Sequence, residues 1–185
     1  MNPANAIWLW GEGNKPALRS FQETYGKRGA VISAVDLVKG IGRCAGMDVI
    51  EVAGATGNLH TNYEGKAKAA LEALQNGADL VYVHIEAPDE CGHQADREGK
   101  IYSIEKIDAE VIGWLMEQLG GMEYKMLVMP DHPTPLELRT HTDEPVPFVI
   151  YDSARLKKGP AQFSETAETS LHLDDGYQLM ARFLG

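Results

Sequence analysis

The chain has 185 residues, of which 44% are hydrophobic and 24% charged, enough for one domain, or one plus a fragment of another, to bury a core without staples. A formal net charge of −10 argues against nucleic-acid binding and against attachment to an anionic membrane. No apolar run reaches membrane length and none reads as a secretory signal. The two cysteines, Cys44 and Cys91, are then expected as reduced thiols in a cytoplasmic protein.

In chain order, Ala6 to Trp10 reads as a short strand closed by the turn Gly11-Glu12-Gly13. Pro16 opens a helical pattern with Leu18, Phe21, Gln22 and Tyr25 on one face and Gly26 as a cap. Ala30 to Val35 reads as a buried strand, Asp36 to Gly46 as a short helix and Asp48 to Ala53 as a second strand. After the loop Gly54-Ala55-Thr56-Gly57, Thr61-Asn62-Tyr63-Glu64 fits a capping box. The helix it starts turns Ala67, Ala70, Leu71 and Leu74 inward and ends at Asn76-Gly77.

Leu80 to Glu86 is the strongest strand signal, and Asp96 to Leu119 the longest helix, with Ile101, Ile104, Val111, Ile112, Leu115 and Leu119 at helical spacing. Lys125 to Met129 and Pro147 to Tyr151 read as strands, and Glu168 to Leu184 as a closing helix with a break near Asp174-Asp175-Gly176. Strands alternating with helices predict an α/β fold, a mostly parallel sheet with helices on both faces. The weakest junction lies at Gly26 to Gly29, so the segment before it can belong to another layer or domain.

Five acid and imidazole side chains stand out from the middle of the chain onward: Asp89, His93, Asp131, His132 and His141. Asp and His together form the ligand set of a hydrolytic or phosphoryl-transfer metal site. Two of the three segments directly follow strand-like runs, and open α/β sheets bind ligands at the carboxyl ends of their strands. Asp89 and His93, four apart, share one side of a helical turn or of a tight loop closed by Gly92. Asp131 and His132 are neighbours that a turn between Pro130 and Pro133 must redirect, and such a pair can serve two metals.

Taken singly, each of these reads more simply as a surface pair, a turn or a surface histidine; the spacing at successive strand ends is what favours a metal site. Cys91 reads as a filler beside Gly92 more than as a thiolate ligand. His84, inside an apolar strand, reads as a hydrogen-bonded core histidine, and Glu86 as support for the metal site or as a salt-bridge partner. The loop 54–57 can present backbone N–H groups to a phosphate but is not a P-loop, since no Gly-Lys-Ser/Thr follows. Lys39, Arg43, Lys66 and Arg139 can meet an anionic substrate or simply be solvated charges.

At Gly54-Ala55-Thr56-Gly57, His84 to His93 and Pro130-Asp131-His132-Pro133-Thr134-Pro135, the chain resembles the cofactor-independent phosphoglycerate mutases. The likeness is greatest to the archaeal-type branch and its bacterial relatives, some of which are labelled proposed homoserine kinases. It continues through His141-Thr142 to Val146-Pro147, and includes Asn5 to Gly11 near the start.

The resemblance implies the alkaline phosphatase superfamily and two divalent ions, usually manganese and sometimes zinc. It implies Asp89, His93 and His141 as ligands of one ion and Asp131 and His132 as ligands of the other. The family's nucleophilic serine and one further metal Asp have no match here; Ser20, Ser33 and Ser103 do not fit. The chain therefore resembles the C-terminal half of such an enzyme, with an incomplete sheet whose open edge would favour homo-oligomers. Residues 1–29 would be the tail of an inserted substrate domain and 30–185 part of the metalloenzyme domain.

The expected function is interconversion of 3- and 2-phosphoglycerate by the longer enzyme, this chain alone being inactive and assigned no catalytic residue. The alternatives are phosphoryl transfer to homoserine, for which no nucleotide motif is found, and a non-catalytic domain that binds metal or a partner.

Overall fold

A computed structural model describes residues 6–7, 13–159, 162–166 and 171–185. The expected first strand, with Trp8 and Trp10, and the start of the expected closing helix at 168–170 lie largely outside the described residues.

The first helix, α1 (Phe21–Tyr25), is shorter than its apolar pattern predicts. Ser20 starts it through a reciprocal capping box with Glu23, and Gly26 ends it in the left-handed conformation (φ 66°). Strand β1 (Gly29–Ile32) is buried throughout. Helix α2 (Asp36–Cys44) leads to β2 (Asp48–Ile50), α3 (Tyr63–Gln75) to β3 (Leu80–Val83). These strands form one parallel sheet in the order β2-β1-β3.

Two right-handed crossovers, from central β1 outward to β2 and from β2 back over β1 to β3, run in opposite directions and so put α2 and α3 on opposite faces. Val31 packs on the α2 face, where a Cβ on Gly42 would stand 2.8 Å from its Cγ2; Ala30 and Ile32 therefore face the α3 side. The capping box expected at Thr61 is replaced by a different bond. Asn62 caps α3 by accepting from the Gly65 N–H at 2.8 Å, while the Thr61 hydroxyl accepts from the Thr56 N–H at 3.0 Å and braces the loop.

Beyond β3 the chain forms α4 (Ala87–His93), α5 (Arg97–Lys106), a π-helical segment (Ile107–Gly113) and α6 (Trp114–Gln118). The buried positions Gly99, Ser103, Val111, Leu115 and Leu119 are spaced in multiples of four. A straight α-helix would rotate such a stripe by about 40° at each step; the wider π turn absorbs the excess. The expected inward face is thereby corrected: Ile101 and Ile104 are 46% and 51% exposed. The core joins Tyr63 and Ala67 of α3 to Ala87, Val111, Leu115 and Leu119.

Strands β4 (Lys125–Val128) and β5 (Val149–Asp152) form a separate antiparallel pair. Parallel pairing needs a crossover helix, and the residues between these strands form a helix-free loop that carries three of the five candidate donors. The closing helix α7 is short (Leu179–Leu184), after a 3-10 turn at Gly176–Gln178 close to the expected break. Both cysteines are free. No helix among the described residues is long and apolar enough to cross a membrane.

Candidate metal centre

Helix α4 begins where β3 runs out. Pro88 lies in its first turn, where its missing N–H costs nothing. Acidic Asp89 and Glu90 sit in the first turn and His93 in the last, matching the helix dipole at both ends. The four-residue spacing puts Asp89 and His93 on one face, with His93 Nε2 3.4 Å from Asp89 Oδ2. Cys91 is buried, with its Sγ 3.0 Å from where a Cβ on Gly99 of α5 would stand; burial pushes its thiol up, which fits a filler rather than a thiolate.

The loop after β4 lies directly on α4. A Cβ on Gly92 would meet the Thr134 carbonyl oxygen at 2.6 Å, so glycine permits the approach, and Lys100 Nζ donates to the same carbonyl at 2.8 Å. A turn brings the Arg139 N–H to the Pro135 carbonyl at 2.9 Å and leaves Arg139 in the left-handed region at φ 55°. In that conformation the Arg139 carbonyl accepts from His93 Nδ1 at 2.9 Å. A carbonyl only accepts, so Nδ1 carries the ring hydrogen and the Nε2 lone pair is free.

His93 Nε2 faces His141 Nε2 at 3.1 Å, and His141 Nε2 is 3.4 Å from Asp89 Oδ1. The ligand atoms of Asp89, His93 and His141 all lie within 4.8 Å of one another. Donors about 2.0–2.1 Å from one ion stand about 3.0–3.4 Å apart for octahedral or tetrahedral angles; the two imidazole nitrogens are at such a separation, and each faces a different oxygen of the Asp89 carboxylate at 3.4 Å. Three protein donors leave positions open for water or substrate, the pattern of a catalytic rather than a structural site.

The other two candidates stand beside this cluster. The His132 ring lies over that of His141, centroids 3.7 Å apart. Thr134, which the sequence reading missed, is buried and joins the two groups: its hydroxyl donates to Asp89 Oδ1 and lies 3.3 Å from His132 Nδ1. With the Thr134 hydrogen committed to Asp89, His132 Nδ1 must donate, and its Nε2 is left free, 3.5 Å from Asp131 Oδ2. Asp131 is at the rim, its side chain 63% exposed. The only sequence signal for Thr134 was its place between Pro133 and Pro135, two prolines that stiffen the loop.

Below the donors lies a less exposed layer. Lys66 of α3 has no solvent-accessible surface and donates to the His84 carbonyl at 3.0 Å; burial lowers its pKa to about 8. Burial, then the nearby Glu90 and Asp89, raise that of Glu86, whose carboxylate rests over Gly57, where a Cβ would come within 2.0 Å of Oε2. The loop 54–57 thus backs the end of β3. His84 is half-buried, as a hydrogen-bonded histidine should be, with Nδ1 3.2 Å from the Ser33 hydroxyl.

The sequence matches the metalloenzyme superfamily over residues 2–181. The chain belongs to that superfamily. It is 54% identical to a probable 2,3-bisphosphoglycerate-independent phosphoglycerate mutase of Geobacter sulfurreducens, over 98% of this chain and 46% of the relative. A Methanosarcina acetivorans protein named as such a mutase is 56% identical over 81% of this chain and 38% of its own length.

Among solved structures, a Pyrococcus horikoshii protein superposes with TM-score 0.77 at 34% identity, covering 83% of this chain and 46% of that one. A cofactor-independent phosphoglycerate mutase of Thermoplasma acidophilum gives TM-score 0.64 at 26% identity, covering 92% and 40%. The chain therefore spans less than half the length of these relatives. Superfamily membership and the donor triad together point to a divalent-metal centre.

Proposed function

We propose that this chain is the C-terminal part of a metal-dependent phosphoglycerate mutase, which interconverts 3- and 2-phosphoglycerate. The observation that carries this reading is the donor triad Asp89, His93 and His141, whose ligand atoms lie within 4.8 Å of one another, in a chain whose relatives bear that name. In this reading the triad holds one divalent ion, manganese or zinc. Asp131 and His132 serve a second ion, supported by the free Nε2 and the 3.5 Å spacing of that pair. The phosphoryl-accepting serine and a further acidic ligand belong to the part of the relatives that this chain does not cover. Residues 1 to about 29, where β1 begins, are the tail of an inserted substrate domain, anchored through Phe21, whose N–H donates to the Ala45 carbonyl at 2.7 Å. Residues 30–185 are metalloenzyme domain.

Bound divalent ions supply charge neutralisation for the transferring phosphoryl group. The protein's own part is orientation. Arg139 fixes the His93 tautomer through its carbonyl, Thr134 fixes the Asp89 carboxylate, and Gly92 lets loop and helix close on each other. Groups that support metal ligands in this way commonly change affinity by about 10- to 100-fold.

The test is calorimetric titration of Mn²⁺ and Zn²⁺ into the chain and into an Asp89→Ala, His93→Ala double variant, followed by mutase assays on the full-length protein. Saturable binding lost in the double variant, with mutase activity in the longer protein, is the expected result. Equal binding by both proteins would overturn the ligand assignment, and a metal-loaded full-length protein without mutase activity would overturn the reaction.

A further inference from the structure

The carboxyl ends of β1 and β3 carry a second polar arrangement that the metal donors leave unused. Ser33 follows β1 and is buried, 3% exposed; His84 follows β3. The Ser33 Oγ accepts from the Val35 N–H at 3.0 Å and lies 3.2 Å from His84 Nδ1. A buried hydroxyl needs an acceptor for its own hydrogen. Among the described residues, the acceptor recorded within hydrogen-bond distance of it is His84 Nδ1. Ser33 therefore donates, Nδ1 accepts, and the neutral ring carries its hydrogen on Nε2. Burial lowers the ring's basicity and keeps it neutral.

Everything else on His84 is fixed. Its N–H donates to the Ile32 carbonyl at 2.8 Å, its carbonyl accepts from buried Lys66, and its ring stacks on Tyr82 with centroids 6.4 Å apart and planes 12° from parallel. Nε2 alone has no hydrogen-bond partner among the described residues. A fully buried histidine would have both ring nitrogens satisfied; on this half-buried ring Nε2 is open to a ligand. This one ends in an N–H donor within electrostatic reach of Asp131, Asp89 and His132. Oδ1 of the Asp131 carboxylate accepts from the His132 backbone N–H at 3.1 Å.

We infer that His84, through Nε2–H, is a fixed hydrogen-bond donor to an oxyanion held at the metal centre, a phosphoryl oxygen of the substrate. The choice of ligand rests on the metal reading above; the ring's tautomer does not. A rigid neutral donor beside a site of developing negative charge needs no reorganisation when the anion arrives.

The experiment uses ¹⁵N-histidine-labelled protein, Zn²⁺ as a diamagnetic ion and inorganic phosphate as the probe, read by long-range proton–nitrogen correlation. The His84 signals are assigned with His84→Phe. The expected result is an Nε2–H tautomer at neutral pH, with an Nε2 signal that moves on adding phosphate to the Zn²⁺-loaded protein while Nδ1 stays. His84→Phe should bind Zn²⁺ like the parent but phosphate about tenfold more weakly, and His84→Gln, which keeps an N–H donor, should recover part of that loss.

An Nδ1–H tautomer or an imidazolium in the parent overturns the inference. So does a Zn²⁺-loaded His84→Phe that binds phosphate as tightly as the parent. A parent that takes up no Zn²⁺ counts against the metal reading, and the tautomer alone then decides for or against His84.

Discussion

The two arms of the candidate centre are built by different physics. The α4 arm carries Asp89 and His93 on a helix, so their relative positions follow from the helical repeat and survive changes in their surroundings. The arm between β4 and β5 carries Asp131, His132 and His141 on a stretch without regular structure. Its geometry depends on particular bonds: Thr134 to Asp89, Lys100 to the Thr134 carbonyl, and the Arg139 carbonyl to His93. The helical arm can be assembled locally, whereas the loop arm is in place only when it is docked on the helix. Metal affinity should therefore be more sensitive to changes at the docking contact than to changes elsewhere on the loop.

The sharpest way to break the docking is Gly92→Ala. The new methyl would come within 2.6 Å of a backbone oxygen and 2.8 Å of Thr134 Cγ2, neither of which is the free end of a flexible chain. Overpacking of this kind costs about 1–3 kcal/mol, and here the relaxation that relieves it moves the loop away from Asp89. Denaturant unfolding should register the stability loss. Calorimetry should register a metal affinity reduced by more than stability alone requires, because the His141 and His132 donors retreat. An alanine variant with parental metal affinity would mean that the loop does not need α4 to hold its shape.

The next largest effect lies under the helical arm. Lys66 clips the end of β3 just before α4 begins, and burial has brought its pKa from 10.5 to about 8. Below the folded value both states hold the proton, and the folded state bears the full cost of a buried charge. Between about 8 and 10.5 the unfolded chain still holds a proton that the folded chain has released, so this group's contribution to stability rises with pH. At about 1.4 kcal/mol per pH unit the window is worth at most about 3 kcal/mol, an upper figure because Lys66 lies under a thin shell of protein. Lys66→Met removes the titrating group, so its stability advantage over the parent should shrink by that amount as pH is raised through the window. A gap independent of pH would mean that Lys66 is solvated in solution.

Most of the helical arm could be read from the sequence, and little of the loop arm's geometry could. The Asp-x-x-x-His spacing after an apolar run carries its own geometry. Asp131, His132 and His141 could be marked as candidates by residue type, but the sequence held no sign that the His132 ring would lie on His141 or that a buried threonine would tie both arms together. Contacts within an irregular loop, or between segments as far apart as Asp89 and Thr134, leave no periodic trace in the sequence. The same holds for the fold. The α3 and β3 signals are local and correct to within a few residues, while the face of the long helix was misjudged at Ile101 and Ile104 because the π-helical segment changes the phase. His84 was recognised as a bonded histidine, but its partner is Ser33, a residue 51 positions away.

A smaller change tests the tie itself. Thr134→Val keeps the shape of the side chain and removes the hydroxyl that orients Asp89 and accepts from His132. The expected loss is about tenfold in metal affinity, at the lower end for groups that support metal ligands, with little change in helix content by circular dichroism. Unchanged affinity would mean that Asp89 is held by the helix alone.

The smallest predicted effect sharpens the comparison from the loop side. Arg139 adopts a left-handed conformation without being glycine, which costs about 1–2 kcal/mol. Glycine relieves that strain but gains about 0.5–1 kcal/mol of backbone freedom in the unfolded chain, so Arg139→Gly should stabilise the protein by about 0.5 kcal/mol. The group that bonds His93 is the Arg139 carbonyl, not its guanidinium, so metal affinity should be preserved in Arg139→Gly. Arg139→Ala, which keeps the strain and loses the same side chain, separates conformation from charge. If alanine matches the parent in stability and only glycine exceeds it, the gain comes from the backbone, and the conformation that presents the carbonyl to His93 is one the loop maintains at a cost. Reduced metal affinity in the glycine variant alone would mean that the flexibility glycine brings lets the carbonyl leave His93, and that the strained arginine is what keeps the tautomer fixed.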